Sequence, residues 1–192
     1  MLLLSDKLLG TPVMSLQTGE EVARTSDMII DPRTLTIVAL VVHGPQVEAS
    51  PAVLHTEDIR EFGELGFIVD DSSKLMELEG LVRLQQIIDF HFDIMRCTVY
   101  DKSGKKLGRV NDFSFDPGSY TVQQIYIKES LLKSLTSTSH IIHRSQIVSI
   151  DNQKIIVDSP TVTAHDEHLA DTRGAFVNPF RQATPQPDQA DS

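Results

Sequence analysis

The densest basic cluster of the chain surrounds one turn in its second half. Its members are Lys102, Lys105, Lys106 and Arg109. Lysine and arginine bind polyanions by neutralising phosphate charge, so the cluster suggests a hairpin that binds RNA or another anionic surface. A solvated hairpin tip is the interpretation we favour for the same residues. No flanking exposed aromatic residue is apparent that would serve as a stacking platform for bases.

Two histidines near the C-terminus, His165 and His168, have the spacing that places side chains on one face of a helix. Such a pair can contribute to a metal site, but protein zinc sites use three or four protein ligands. No third ligand is evident nearby, and the HExxH motif is absent. A solvated acidic helix accounts for the two histidines, and we expect no metal.

An arginine and an aspartate recur together in the two halves, as Arg24 with Asp27 and Arg109 with Asp112. Side chains three apart on a regular strand point to opposite faces, so neither pair is expected to form one site. Two interpretations remain. Both halves use these residues to contact a ligand, or the aspartate bends the strand and the arginine forms a surface ion pair.

Cys97 is the only cysteine, which excludes an intrachain disulfide and a multi-cysteine zinc site. It lies in a predicted strand and is interpreted as a small core residue. His55 and His143 occupy equivalent positions in the two halves, where a turn-supporting role and a ligand contact are both open. No nucleophile–histidine–acid order, phosphate-binding loop or paired carboxylate motif stands out. We therefore predict no catalytic residue and no cofactor, and expect that the chain is not an enzyme.

Most of these side chains lie in a segment pattern that occurs twice in the sequence. Residues 18–32 match residues 103–117 at a constant offset of 85, with Gly19 on Gly104 and Asp31–Pro32 on Asp116–Pro117. Further along, 52–70 matches 140–158 at an offset of 88. Each copy reads as short strands separated by Gly- and Pro-containing turns, the pattern of a small antiparallel barrel.

The predicted fold is therefore all-β, with two tandem small antiparallel barrels. We predict repeat 1 over residues 1–72, a helical or extended linker over 73–91, repeat 2 over 92–160, and an acidic helix and disordered tail over 161–192. Within the linker, Ser72 or Ser73 is expected to cap a short helix over residues 74–79. Residues 81–92 are apolar without a period that separates helix from strand.

The net charge of −10 argues against a protein built to coat nucleic acid. The charge is uneven, with −8 over residues 1–88, +1 over 89–160 and −3 over 161–192. A polyanion would therefore bind the second repeat. No apolar run is long enough for a membrane span, and the short N-terminal run does not resemble a signal peptide. We expect a cytoplasmic protein.

The repeated unit resembles the PRC-barrel family. The resemblance rests on the strand motif Val22-Ala23-Arg24-x-x-Asp27, its counterpart Leu107-Gly108-Arg109-x-x-Asp112, the Asp-Pro turns that follow, and the segment 143–150. It covers roughly residues 4–70 and 92–159. The chain departs from the family pattern at 143–150, which lacks the expected proline, and at the weakly β-like segment 61–65.

The resemblance implies a barrel that serves as a docking surface, and it supplies no catalytic residue. We therefore expect a non-enzymatic interaction or assembly module that docks a protein partner through barrel surfaces, with self-association of the chain as a further expectation. The alternative is an RNA- or ribosome-associated maturation factor that uses the basic hairpin of repeat 2, since the family includes the C-terminal domain of such a factor.

Overall fold

The structure is a computed structural model that describes residues 1–44, 47, 51–79, 81–128, 139–158 and 162–164. Strands of the first half are β1 (Leu3–Leu4), β2 (Pro12–Ser15), β3 (Glu21–Asp31), β4 (Thr36–His43), β5 (Ala52–His55), β6 (Glu61–Gly63), β7 (Gly66–Val69) and β8 (Leu75–Glu77). After helix α1 (Val82–Asp89) follow β9 (Thr98–Asp101), β10 (Lys106–Asp116), β11 (Thr121–Lys128), β12 (Ser139–His143), β13 (Ile147–Ile150), β14 (Lys154–Val157) and β15 (Val162–Ala164). Short 3-10 helices span Ser5–Leu8, Thr56–Asp58, Ser72–Lys74, Ile94–Arg96 and Arg144–Gln146. The predicted all-β class is confirmed, and none of the helices in the described ranges is long and apolar enough to cross a membrane.

The main sheet has the order β13-β14-β9-β10-β11-β4-β3-β2-β7-β6. Counted inward from the two ends of the sheet, the strands of one half follow the same order as their equivalents in the other half. A pseudo-two-fold axis therefore passes between β11 and β4. One pair in each half is parallel, β2 with β7 and β9 with β14, and the remaining pairs are antiparallel. The sequence repeat is therefore a repeat of strand topology.

At the axis, Thr36 of β4 pairs with its own equivalent, Thr121 of β11. Two backbone hydrogen bonds flank this pair, from Ile37 N–H to the Tyr120 carbonyl at 2.9 Å and from Val122 N–H to the Leu35 carbonyl at 2.8 Å. Leu35 and Tyr120 have φ angles of 53° and 54°, in the left-handed region that non-glycine residues seldom adopt. This conformation presents their carbonyl groups to the opposite half.

The predicted Asp-Pro turns set up this conformation. The Asp31 carboxylate accepts the Arg33 backbone N–H at 2.9 Å. In the second copy the Asp116 carboxylate accepts the Gly118 N–H at 3.3 Å and the Ser119 hydroxyl at 2.7 Å. These bonds, that of Ser119 first, hold the pKa of Asp116 below its usual value. Each turn thus ends in the residue that crosses the axis.

The strand pairs β3–β4 and β10–β11 carry the same two bulges, the first with its extra residue on β3 or β10 and the second with its extra residue on β4 or β11. In β3 the register shifts between Thr25 and Asp27, and in β10 it shifts between Val110 and Asp112. A second shift follows in each strand at equivalent positions, between Ile29 and Ile30 and between Ser114 and Phe115. Bulges bend and twist a strand, so both copies curl at the same points.

The linker differs from its prediction. The prediction of a helix over residues 74–79 is wrong, because Leu75–Glu77 form β8, which pairs with β5. The open edge of β5 supplies backbone partners that a helix this short cannot match alone. Asp71, and not a serine, caps the preceding 3-10 turn by accepting the Ser73 N–H at 2.7 Å. The ambiguous segment that follows contains α1.

Beyond the second repeat, Val162–Ala164 form β15 against β12, where the sequence predicted the start of a helix. The pairing repeats that of β8 with β5, which explains the strand. The rest of the predicted acidic helix and tail, residues 165–192, lies outside the described residues.

The apolar interiors of the two halves merge into one buried cluster. Phe67 from the first half and Phe113 and Phe115 from the second are its largest fully buried side chains. A second, smaller cluster forms where Leu84 of α1 covers the outer face of the first half at Ala39 and Val53. The sheet is therefore buried on both faces at Ala39 and Val53.

The shared core predicts that both halves unfold together. Leu54 and Ile142 occupy equivalent positions and are fully buried in the merged cluster. Leu54→Ala and Ile142→Ala should each lower the free energy of unfolding by about 2–5 kcal/mol, because each leaves a cavity. Urea titrations followed by circular dichroism should show one transition in both variants. A separate, unshifted transition for the unaltered half would contradict a common core.

Candidate functional site

The basic hairpin is built on one carboxylate. Asp101 accepts the Ser103 hydroxyl at 2.6 Å and the backbone N–H groups of Ser103 and Lys105 at 2.8 and 2.9 Å. These bonds, led by the Ser103 side chain, hold the pKa of Asp101 below its usual value. Gly104 takes the predicted left-handed conformation, with φ of 83°. The Lys102 ammonium forms an ion pair with Asp158 at 2.6 Å, so it is already partnered.

Only part of the predicted cluster faces one surface. In the strand register, Lys106 lies opposite Tyr100, and Arg109 lies opposite Thr98. Continuing across the sheet at that level gives a row of facing residues, Lys154, Thr98, Arg109 and Lys128. We call Lys154, Arg109 and Lys128 the basic row. It lies across four neighbouring strands of the second half, beside Lys106.

Sequence reasoning missed two members of this row, Lys128 and Lys154. Lys154 joins the row through the parallel pairing of β14 with β9, which local spacing does not predict, and Lys128 through the antiparallel pairing of β10 with β11. The aromatic residue that lies beside the cluster, Tyr100, is half-buried opposite Lys106. In the first half the equivalent face has Glu21 in an ion pair with Arg24 at 2.6 Å.

The expectation that Arg24 and Asp27 face opposite sides of the strand is also wrong. Arg24 pairs with His43 and Asp27 with Val41, two positions on the same face of β4. The bulge between Arg24 and Asp27 inserts one residue and thereby restores a common face. The same shift brings Arg109 and Asp112 to one face in the second half.

These aspartates nevertheless have structural partners. Asp27 and Asp112 each accept the backbone N–H of the next residue, at 2.8 and 2.7 Å, and so support the bulge as predicted. Asp112 also accepts the Ser5 hydroxyl at 2.6 Å, which ties the N-terminal segment to the second half. Arg24 pairs with Glu21 and donates to the Gly10 carbonyl at 2.7 Å.

The histidines of β12 do not converge. His140 and His143 pair with Ile127 and Gln124, three positions apart in an unbulged register, which puts the two histidines on opposite faces. His143 caps the following 3-10 turn, and its backbone N–H donates to the Gln146 side chain at 2.9 Å. Across the described ranges, no three His, Cys, Asp or Glu side chains gather as a metal site would require. His165 and His168 lie outside those ranges.

Two clefts flank the pseudo-two-fold axis. Each lies between the Asp-Pro turn of one half and the 3-10 turn and following strand of the other. Their volumes are about 680 and 650 Å³. Apart from Phe90, every residue that lines the first cleft has its equivalent in the lining of the second, as with Leu35 and Tyr120 or Ile147 and Ile59. The repeat therefore generates two versions of one cleft.

The two versions differ in charge. The first, which we call the basic cleft, is lined by Arg33, Arg144 and His143 and by no carboxylate. The second, the mixed cleft, is lined by acidic and basic groups together, namely His55, Glu57, Arg60, Glu61 and Arg83. Arg60 is held by Asp70 through two hydrogen bonds at 2.8 and 2.9 Å, which lower the pKa of that carboxyl.

Cys97 is fully buried immediately before β9, as its interpretation as a core residue requires. Its thiol approaches the Asp93 carbonyl at 3.4 Å. Burial, with smaller contributions from the carboxylates of Asp93 and Asp151, raises the pKa of Cys97 to about 12. The thiolate is the reactive form, so the geometry disfavours a nucleophilic role.

We expect the thiol to be unreactive in the folded chain. A raised pKa means that the thiolate is scarce at pH values below about 12, and burial blocks the reagent as well. At about pH 8, a disulfide reagent should modify the native chain only at the rate of unfolding and the denatured chain at once. Rapid stoichiometric modification of the native chain would contradict the burial of Cys97.

Comparison with protein families gives one match. Residues 89–163 match the PRC-barrel domain, close to the predicted second repeat. A second copy is not detected in the first half. A search of curated proteins found no match for the chain. The protein contains a PRC-barrel domain that spans residues 89–163.

Proposed function

We propose that this protein is a non-enzymatic interaction and assembly module that docks a protein partner in the cytoplasm through its barrel surfaces. The observation that carries the proposal is the pair of open clefts beside the pseudo-two-fold axis. They share their lining positions but differ in charge. Differences of charge on a common frame change what a surface attracts while leaving the fold intact.

We further propose that residues 1–72 are a diverged second copy of the PRC-barrel unit. Equal lengths of β3 and β10, equal lengths of β4 and β11, and equivalent bulges support this interpretation. Divergence at outward-facing positions changes their chemistry, where Glu21 replaces the equivalent Lys106 and Val41 the equivalent Tyr126.

The docking proposal is tested by purifying the tagged full chain from cells of its source. A partner should co-purify in a fixed ratio, and hydrogen exchange should slow on its addition at backbone groups that line the clefts. The turn amides of Ser103 and Lys105 at the basic hairpin, which lines neither cleft, serve as internal controls. A chain that purifies alone, with no slowed exchange, would contradict the proposal.

A second candidate function is RNA binding by the second half, and the basic row favours it. Arg109 and Lys128 stand on adjacent strands, and Lys154 stands two strands from Arg109 with Thr98 between them; neighbouring strands lie about 4.8 Å apart. Tyr100 offers an aromatic face beside Lys106 on the same surface. A cationic surface with an aromatic side chain is the combination that binds single-stranded nucleic acid.

This candidate predicts strong salt dependence. Replacing both Lys105 and Lys106 by Glu should weaken binding of a single-stranded RNA by at least about tenfold and flatten its salt dependence, because phosphate contacts are lost. Filter binding at several salt concentrations measures both effects. Lys7→Glu combined with Arg83→Glu is the control of equal charge change. Equal weakening in the control, or salt-independent binding, would contradict an RNA site at the hairpin.

A further inference from the structure

The basic cleft contains the edge of the sheet. β13 is the outermost strand at one end, and within the described ranges it pairs only with β14. The register of β13 shifts between Ile147 and Ser149, and beyond that shift alternate side chains point to opposite faces, yet the consecutive residues Ser149 and Ile150 both line this one cleft. The cleft therefore faces the edge of β13, where backbone N–H and C=O groups point outward.

Cations and apolar groups surround this edge. Arg33 projects from the Asp-Pro turn of the first half, and Arg144 precedes β13 in the second half. One N–H of Arg144 donates to the Thr34 carbonyl at 2.7 Å, and a guanidinium has five such donors. Exposed apolar surface adjoins them, since Val148 and Phe90 are 54% and 43% exposed.

The mixed cleft shows what distinguishes this surface. Its edge strand, β6, carries Glu61 where β13 carries Ser149, and Glu57 stands where the basic cleft has Ser145. In addition, Leu84 and Ile87 of α1 line the mixed cleft, so the chain itself occupies part of that space. The basic cleft keeps the edge strand and has only cationic charge around it.

We propose that the basic cleft binds an extended acidic segment of a protein partner, which adds to the sheet as a strand beside β13. Main-chain hydrogen bonds to the edge supply affinity, as in other cases of strand addition. Carboxylates of the segment contact Arg33 and Arg144, and apolar side chains at alternate positions cover Val148 and Phe90. The inference rests on the proposed docking function and specifies its site and the chemistry of the partner.

The probe is a fluorescein-labelled eight-residue peptide that alternates Glu with Val, titrated with the full chain and followed by fluorescence anisotropy. We expect saturable binding that weakens as salt is raised, because the ion pairs are exposed. The peptide with Gln in place of every Glu should bind about tenfold more weakly or worse, since the charge complementarity is lost.

Backbone methylation tests strand addition directly. In an added strand alternate N–H groups point toward the edge, so methylating one alternate set of peptide nitrogens should abolish binding. Methylating the other set should leave binding within about threefold of the parent, well under the tenfold that 1.4 kcal/mol represents. Equal effects of the two sets would overturn the strand geometry.

The cleft is identified by matched variants. Arg33→Glu should weaken binding of the Glu–Val peptide by about tenfold, because a cation is replaced by an anion that repels the peptide carboxylates. Arg83→Glu makes the same charge change in the mixed cleft and should have little effect. Both residues are exposed, and unchanged unfolding curves would verify that both variants fold. Equal losses in both variants, or stronger binding of an octauridylate than of the peptide, would overturn the proposal.

Failure of this site and failure of the docking function are distinguishable. A partner that co-purifies with the unaltered chain and equally well with Arg33→Glu would leave the docking function standing and overturn this site. The opposite result is saturable peptide binding that Arg33→Glu weakens, together with the absence of any co-purifying cellular partner. That result would support the site and contradict the docking function.

Discussion

The molecule depends on the two cross-axis hydrogen bonds that the Leu35 and Tyr120 carbonyl groups accept from Val122 and Ile37. Leu35 and Tyr120 both hold a left-handed φ that costs a non-glycine residue on the order of 1–3 kcal/mol. Each is buried, and its carbonyl accepts a hydrogen bond from the opposite half. Burial and cross-axis bonding offset the strain only when the halves are joined. The Asp-Pro turns, the merged core and the two clefts all follow from this arrangement.

The equivalent outer sheet faces of the two halves differ in polarity and in what covers them. In the first half, outward positions such as Ala39 and Val53 are apolar, and α1 covers them. In the second half the equivalent of Ala39 is Gln124, which accepts a hydrogen bond from the Tyr126 hydroxyl at 3.0 Å. Polar side chains that hydrogen-bond to one another tolerate partial contact with water, whereas the apolar side chains of the first half must be shielded from water by another element, here α1. One frame therefore presents a closed face and a more polar one.

The two halves also differ in the charge of their surfaces. Both halves have apolar interiors with few buried polar side chains, so divergence of charge is confined to the surface. The basic row and the basic cleft both include residues of the second half, which carries less negative charge than the first. Opposite charges at equivalent positions change which partners are attracted without altering the packing.

The amino-acid sequence alone determined the repeat, the all-β class, the Asp-Pro turns and the glycine turns, because these depend on local backbone preferences and the spacing of apolar residues. It also indicated that Cys97 belongs to the core. Tertiary structure decided the rest. Whether residues 75–77 form helix or strand depended on the open edge of β5, and the place of Lys154 in the basic row depended on a parallel pairing between distant segments. The clefts exist only where two halves meet, because residues about 110 positions apart, Thr34 and Arg144, line them together.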